Sequence, residues 1–169
     1  MISMYLLLQR YRHRPATCRT LLMIFFLLLF FAGPGPAAAT SPLEGLKTIA
    51  IQRGRERIAV FKVETVSDEK KRVKGLSQRP PLPDDYGMLF LLDSTLTQFF
   101  WMKGMEFPID ILFFDKDNRL LEILPDLPPC EECVKYKAPA NTASALEINA
   151  GMADALGIKI GDGFVFTDD

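Results

Sequence analysis

Residues 98–115 read Gln-Phe-Phe-Trp-Met-Lys-Gly-Met-Glu-Phe-Pro-Ile-Asp-Ile-Leu-Phe-Phe-Asp. This stretch contains the only Trp of the chain and five of its thirteen Phe, so we expect the core to form around it. Lys103 and Asp110 stand among these apolar side chains. Because a buried charge needs a partner or a water-filled cleft, the two residues indicate a polar site inside an apolar core.

The segments around this stretch predict mostly strands. Residues 58–66 alternate between apolar and polar side chains, which is typical of a half-buried strand. Short helices are predicted after the N-cap Ser67, up to Gly75, and over 151–156. The remaining apolar runs predict strands over 88–92, 99–102, 109–115, 120–124, 145–148 and 164–166. The expected fold class is α+β, mainly β: a small curled antiparallel sheet or barrel of about six strands with two short helices.

The N-terminal 39 residues have the features of a secretory signal peptide. Four Arg precede an uninterrupted apolar run of twelve residues, 21–32, and small residues follow at 37–39. An uncleaved membrane anchor is the alternative, although twelve apolar residues fall short of the roughly 20 that span a bilayer. We therefore expect a secreted or periplasmic protein, with a linker and lead-in over 40–57 and the domain over 58–169.

Charge argues against nucleic acid as a partner. Removing residues 1–39 takes away four of the 20 Lys and Arg and none of the 21 Asp and Glu, which leaves a net charge of −5. An acidic domain without a basic face is poorly suited to phosphate backbones. The expected partners are an unknown small ligand or an envelope component, with membrane contact only through an uncleaved N-terminal segment.

Two cysteines, Cys130 and Cys133, remain after the signal peptide. In an oxidising compartment this pair predicts one disulfide. A redox-active pair is an alternative, but Glu131 and Glu132 between the sulfurs oppose thiolate formation. A zinc site is the third alternative, and it lacks a histidine because His13 lies in the signal peptide. We expect no metal site and no cofactor.

Polar residues near the apolar strands form the candidate site. We expect Lys103, Asp110 and Glu147 to share a pocket with Asn149 and Arg72, against a wall that includes Trp101. In one interpretation the charges satisfy one another and fix the strand register. In the other they line a functional cleft, where paired carboxylates could do acid–base work. The absence of a histidine outside the signal peptide excludes a Ser-His-Asp arrangement. No catalytic residue is assigned, and Asp110 with Glu147 would serve in an enzymatic alternative.

The motifs of the chain resemble those of the DUF192 family of small exported or archaeal proteins. The resemblance spans about residues 58–166. Ser77 stands where the family usually has Met, and Gly104-Met105 replaces its Asn-Thr. The matching segments are Arg72-Val-Lys-Gly-Leu76 with Arg79, Gly87-Met-Leu-Phe90, Phe100-Trp-Met-Lys103 followed by Pro108-Ile-Asp-Ile-Leu-Phe-Phe-Asp115, and Leu146-Glu-Ile-Asn-Ala-Gly151. The resemblance implies a compact β-rich domain without an assigned reaction.

Three functions are consistent with these observations. The leading hypothesis is an exported ligand-binding or accessory domain with a polar cleft on a β-rich core. The first alternative is a hydrolase-type enzyme that acts on an envelope polymer through Asp110 and Glu147. The second alternative is a structural partner in an exported complex, for which an exposed apolar patch would be the mark.

Overall fold

The protein is described by a computed structural model over residues 46–167, and the predicted signal peptide at 1–39 lies outside the described residues. Strands dominate this part of the chain, and two short helices accompany them, so the mainly-β α+β class is confirmed. The strands are β1 (Lys47–Arg53), β2 (Glu56–Val66), β3 (Tyr86–Leu91), β4 (Phe99–Phe100), β5 (Ile109–Phe114), β6 (Leu120–Leu127), β7 (Tyr136–Lys137), β8 (Ser144–Asn149) and β9 (Gly163–Thr167). The helices are α1 (Glu69–Lys74) and α2 (Met152–Ala155).

Seven of these strands form one sheet in the order β6-β5-β8-β3-β2-β1-β9. All neighbours are antiparallel except β2 and β3, which are parallel, so the sheet is mixed where a purely antiparallel one was expected. The parallel pair arises because residues 67–85, which carry α1, form a crossover that returns the chain to the same end of the sheet. The predicted hairpin of β5 and β6 is present.

The sheet curls until its two edge strands touch at one end. The Leu120 N–H donates to the carbonyl of Asp162 over 2.7 Å, and the Phe164 N–H donates to the carbonyl of Asn118 over 3.1 Å. These contacts join the start of β6 to the start of β9. The sheet is otherwise open.

Two apolar cores lie on opposite faces of this sheet, because side chains alternate along each strand. We call them the first and the second core. Leu112 and Phe114 of β5 belong to the first core, whereas Ile111 and Phe113 belong to the second. All six residues of β5 are buried. The stretch quoted at the outset therefore supplies the strand on which both cores rest.

Some elements differ from the sequence-based expectation. β1 lies inside the expected lead-in at 40–57, and its Ile49, Ala50 and Ile51 are fully buried between β2 and β9. The apolar segment of β1 is only three residues long, which is too short for the alternation of a strand to be recognised in the sequence. The N-cap of α1 is Asp68 instead of Ser67. Within residues 46–167, no helix combines the length and apolar character needed to cross a bilayer.

Candidate functional site

A cavity of about 310 Å³ opens on the side of the second core. One wall is α1 with the turn that follows it, and the opposite wall is formed by residues 98–101 together with Met105. The floor includes the buried residues Phe90 of β3 and Glu147 of β8, and Lys135 also lines the cavity. The cavity thus combines aromatic walls with a small number of charged groups.

Local hydrogen bonds hold the helical wall in place. The Asp68 carboxylate accepts from the Lys71 N–H over 3.1 Å at the start of α1, and Gly75 ends the helix. Arg72 Nη1 donates to the carbonyls of Ser67 and Leu91, over 3.1 and 3.3 Å. Arg72 therefore ties the helix to the end of β3 while it lines the cavity.

The opposite wall rests on the short antiparallel pair of β4 and β7. Phe100 pairs with Tyr136 across this pair, and its ring stands edge-on to the ring of Phe90 at a centroid distance of 6.0 Å. The predicted disulfide between Cys130 and Cys133 is present in the segment that leads to β7. This wall thus meets the floor of the cavity through an aromatic contact in the second core.

Glu147 is the buried ionisable group of the cavity. Only 8 % of the residue is exposed, and its Oε2 has no hydrogen-bond partner among the described residues. Gly75 borders the carboxyl, because a Cβ at that position would stand 3.8 Å from Oε2, an ordinary contact distance. Burial raises the pKa of Glu147 to about 8, since a charge loses its hydration there.

Asp110 lies on the opposite face of the sheet. Ile111, its neighbour, pairs with Glu147 across β5 and β8, so the Asp110 side chain points to the first core. Its carboxylate accepts three backbone N–H bonds of 2.9–3.0 Å, which come from Asp126, Gly151 and Ala153. Asp110 thus fixes the start of α2 and the distorted end of β6. The structure does not bring it to the cavity or to Glu147.

Asn149 and Lys103 also lie outside the cavity lining. The Asn149 amide exchanges two hydrogen bonds with the backbone of Leu82 and donates to Asp84, so it anchors the proline-rich loop before β3. Lys103 is exposed, and its carbonyl accepts the hydroxyl of Ser77. Its main chain forms a bridge with Cys130. Both residues act through local contacts.

Of the six residues expected to bind, Arg72, Trp101 and Glu147 line the cavity together. Sequence reasoning missed other lining residues, notably Glu69 and Lys135. Glu69 could have been found, because it lies three residues before Arg72 on one helix and shares its face. Lys135 comes to the cavity through the pairing of β7 with β4, for which two-residue strands leave no periodic signal. Among the described residues, no group of three or more His, Cys, Asp and Glu could hold a metal ion.

Comparisons with known proteins find a family model and solved structures that are similar to this chain. The model of the DUF192 family, described as an uncharacterized ACR, matches residues 49–166. A crystal structure of a protein of unknown function from Novosphingobium aromaticivorans is 33% identical, with a TM-score of 0.67 over 73% of this chain and 89% of that one. Another, named a "putative transcription regulator", from Sinorhizobium meliloti is 27% identical, with a TM-score of 0.64 over 72% and 93%. No curated protein matches the chain.

Proposed function

This chain belongs to the DUF192 family, and because the description of that family names no reaction, we propose a function from the site itself. The protein is an exported binding domain that holds a small organic ligand in the cavity around Glu147. The predicted signal peptide and the disulfide between Cys130 and Cys133 support export, since disulfides persist in oxidising compartments.

The observation that carries this proposal is the unpaired carboxyl of Glu147. A buried polar group without a hydrogen-bond partner costs free energy, and a charged one costs more. No described side chain forms an ion pair with Glu147, although it lines a cavity that a ligand could enter. A ligand that donates a hydrogen bond to the carboxyl would remove this cost on binding.

The segments that carry the family resemblance also meet at this cavity. The first contributes Arg72 and Gly75, the second Phe90, the third Trp101 and the fourth Glu147. These segments are far apart along the chain, and the fold brings one face of each to the same space. Their convergence supports a role for the cavity itself.

The size and walls of the cavity support a ligand with one or two rings. A volume of about 310 Å³ lies at the lower end of the range of small-molecule sites, roughly 300–1,000 Å³. Phe99 and Trp101 are partly exposed at this wall, and aromatic side chains of this kind can stack on a planar ring or a sugar face.

The hydrolase alternative lacks this geometric support. Two carboxylates that cleave a glycosidic bond must flank the same bond, at a separation of roughly 5–9.5 Å. Asp110 and Glu147 project from opposite faces of the sheet, and Asp110 is engaged by three backbone groups. The pair therefore has no common cleft.

A fluorescence titration tests the proposal, because Trp101 is the only Trp of the chain and lines the cavity. The purified protein is titrated with a panel of ring-containing amines, amino acids, carboxylic acids and sugars, and its melting temperature is measured in parallel. We expect at least one compound to shift the Trp101 emission and to raise the melting temperature. Glu147→Gln should lower the affinity for that compound, whereas the matched variant Glu56→Gln, at an exposed position on β2, should leave it unchanged. A panel that changes neither signal would contradict the proposal.

A further inference from the structure

We infer that the ligand is zwitterionic, with an ammonium group that contacts Glu147 at the floor of the cavity and an anionic group that lies among Arg72, Lys74 and Lys135 at its rim. The inference rests on the proposed function and names the chemical class of the ligand. The anionic group is a carboxylate or a phosphate.

The floor is suited to a cation. The Glu147 carboxyl is buried with an unpartnered oxygen, and it shares the cavity lining with Phe90, whose ring contacts Phe100 edge-on. Aromatic rings attract a cation through their electron-rich faces, most strongly where water is excluded. A carboxyl among aromatic rings therefore offers an ammonium group both a charge-assisted hydrogen bond and a favourable apolar surface.

The rim has the opposite charge. Arg72 and Lys74 come from α1, whereas Lys135 comes from the segment after the disulfide, and all three line the cavity. The lysines are exposed, and neither forms an ion pair among the described residues. Glu69 is the acidic residue of the lining besides Glu147, so cations outnumber acids at the rim.

A ligand with a single charge satisfies only half of this arrangement. A simple cation is repelled by Arg72, Lys74 and Lys135, which outnumber Glu69 in the lining, and this net repulsion lowers its affinity. A simple anion binds at the rim but leaves the buried carboxyl without a partner. A zwitterion with an apolar body between its two charges matches both ends.

Glu147 could instead stay protonated and donate a hydrogen bond to a neutral acceptor of the ligand, and pH separates these two modes. The charged groups of the lining are Glu69, Arg72 and Lys74 on α1, Lys135, and Glu147 itself. Since the pKa of Glu147 is raised to about 8, an ammonium ligand must displace its proton at neutral pH. Its affinity should rise by up to about tenfold per pH unit from pH 6 to 8. A ligand that accepts a hydrogen bond from the protonated Glu147 carboxyl would bind more weakly as the pH rises through 8.

Three probes built on one benzene ring test the inference. Benzylamine is a cation, benzoate is an anion, and 4-(aminomethyl)benzoate carries both charges. Their affinities are measured by quenching of Trp101 fluorescence at pH 6, 7 and 8. We expect 4-(aminomethyl)benzoate to bind at least about tenfold more tightly than either singly charged probe, with an affinity that rises with pH.

Two variants locate the contacts. Glu147→Gln should reduce the affinity for 4-(aminomethyl)benzoate by about tenfold or more and leave benzoate unchanged. Lys135→Ala should weaken the binding of benzoate and of 4-(aminomethyl)benzoate but not the binding of benzylamine.

Equal or tighter binding of a singly charged probe, or an affinity for 4-(aminomethyl)benzoate that falls as the pH rises, would overturn the inference of a zwitterionic ligand. If no probe binds while an amine, a carboxylic acid or a sugar of the panel quenches Trp101, the ligand class is wrong and the pocket stands. If nothing in the panel binds, the proposed function fails as well.

Discussion

Replacing Glu147 by Gln should make the protein more stable at neutral pH, because the variant removes a buried ionisable group. The wild-type carboxyl is buried and has no partner among the described residues, so it keeps its proton in the folded protein up to about pH 8. In the unfolded chain the same group ionises near its ordinary pKa of 4.5. Between these values the unfolded state binds fewer protons than the folded state, and stability falls as the pH rises.

The size of the effect follows from the two pKa values. The pKa of Glu147 rises from 4.5 to about 8 on folding, and one pKa unit corresponds to about 1.4 kcal/mol. The free energy of unfolding should therefore lose roughly 3 kcal/mol between pH 4.5 and pH 7, and roughly 5 kcal/mol once the pH exceeds 8. Below pH 4.5 both states are protonated and the loss vanishes. Gln cannot ionise, so the difference between the variant and the wild type should follow this curve.

Urea denaturation from pH 4.5 to 8.5, followed by far-ultraviolet circular dichroism, measures this difference. Subtracting the wild-type stability from that of Glu147→Gln at each pH removes any constant cost of burying the amide. Glu56→Gln, at an exposed position on β2, is the matched control and should not reproduce this curve. A flat difference for Glu147→Gln would refute the reasoning, since it would mean that the carboxyl ionises in the folded protein as easily as in water.

Three further predictions concern the scaffold. Asp110→Ala should lower the free energy of unfolding by about 3 kcal/mol or more, because three backbone N–H groups lose their acceptor. Lys103→Met should leave the free energy of unfolding nearly unchanged. Equal losses for the two variants in urea melts would contradict this prediction. Gly87→Ala should cost about 1–3 kcal/mol in the same melts, because its Cβ would come within 2.9 Å of the β8 backbone, and an unchanged melt would show that β8 can move away. Thiol titration of the unfolded, unreduced protein should find no free thiol at Cys130 or Cys133. Replacing both by Ala should lower the free energy of unfolding by about 2 kcal/mol, as the closure entropy of a four-residue loop predicts. Reactive thiols at these positions would contradict the disulfide and the predicted loss of stability.

The sequence predicted local structure well because the signals for it are local. Alternation in residues 58–66, the turn before Leu120 and the glycine after α1 each depend on a few neighbouring residues. Their elements appear with small shifts at the ends. β1 and β7 were missed because three buried residues in one case, and two paired residues in the other, carry too little periodicity to be recognised.

The candidate site was harder to predict, because it depends on how the strands align. Alternation along a strand tells which residues share a face within that strand, but it does not relate the faces of different strands. Pairing of Ile111 with Glu147 across β5 and β8 puts Asp110 on the other face. A register shifted by one residue would have put both carboxylates in the same core. Buried acidic residues could therefore be identified from the sequence, whereas their grouping could not.

The contrast between these two carboxylates is the strongest argument for function. Asp110 is enclosed by three N–H donors, which is the arrangement expected of a charge that serves the fold. Glu147 is also buried, but it has an oxygen without a donor among the described residues, and it faces a cavity instead of packed side chains. If Glu147 served only packing, a Gln or an apolar residue would fill the position equally well. The stability of the protein would then not decline as the pH rises toward neutral. The proposed ligand would supply the missing partner and so offset this cost.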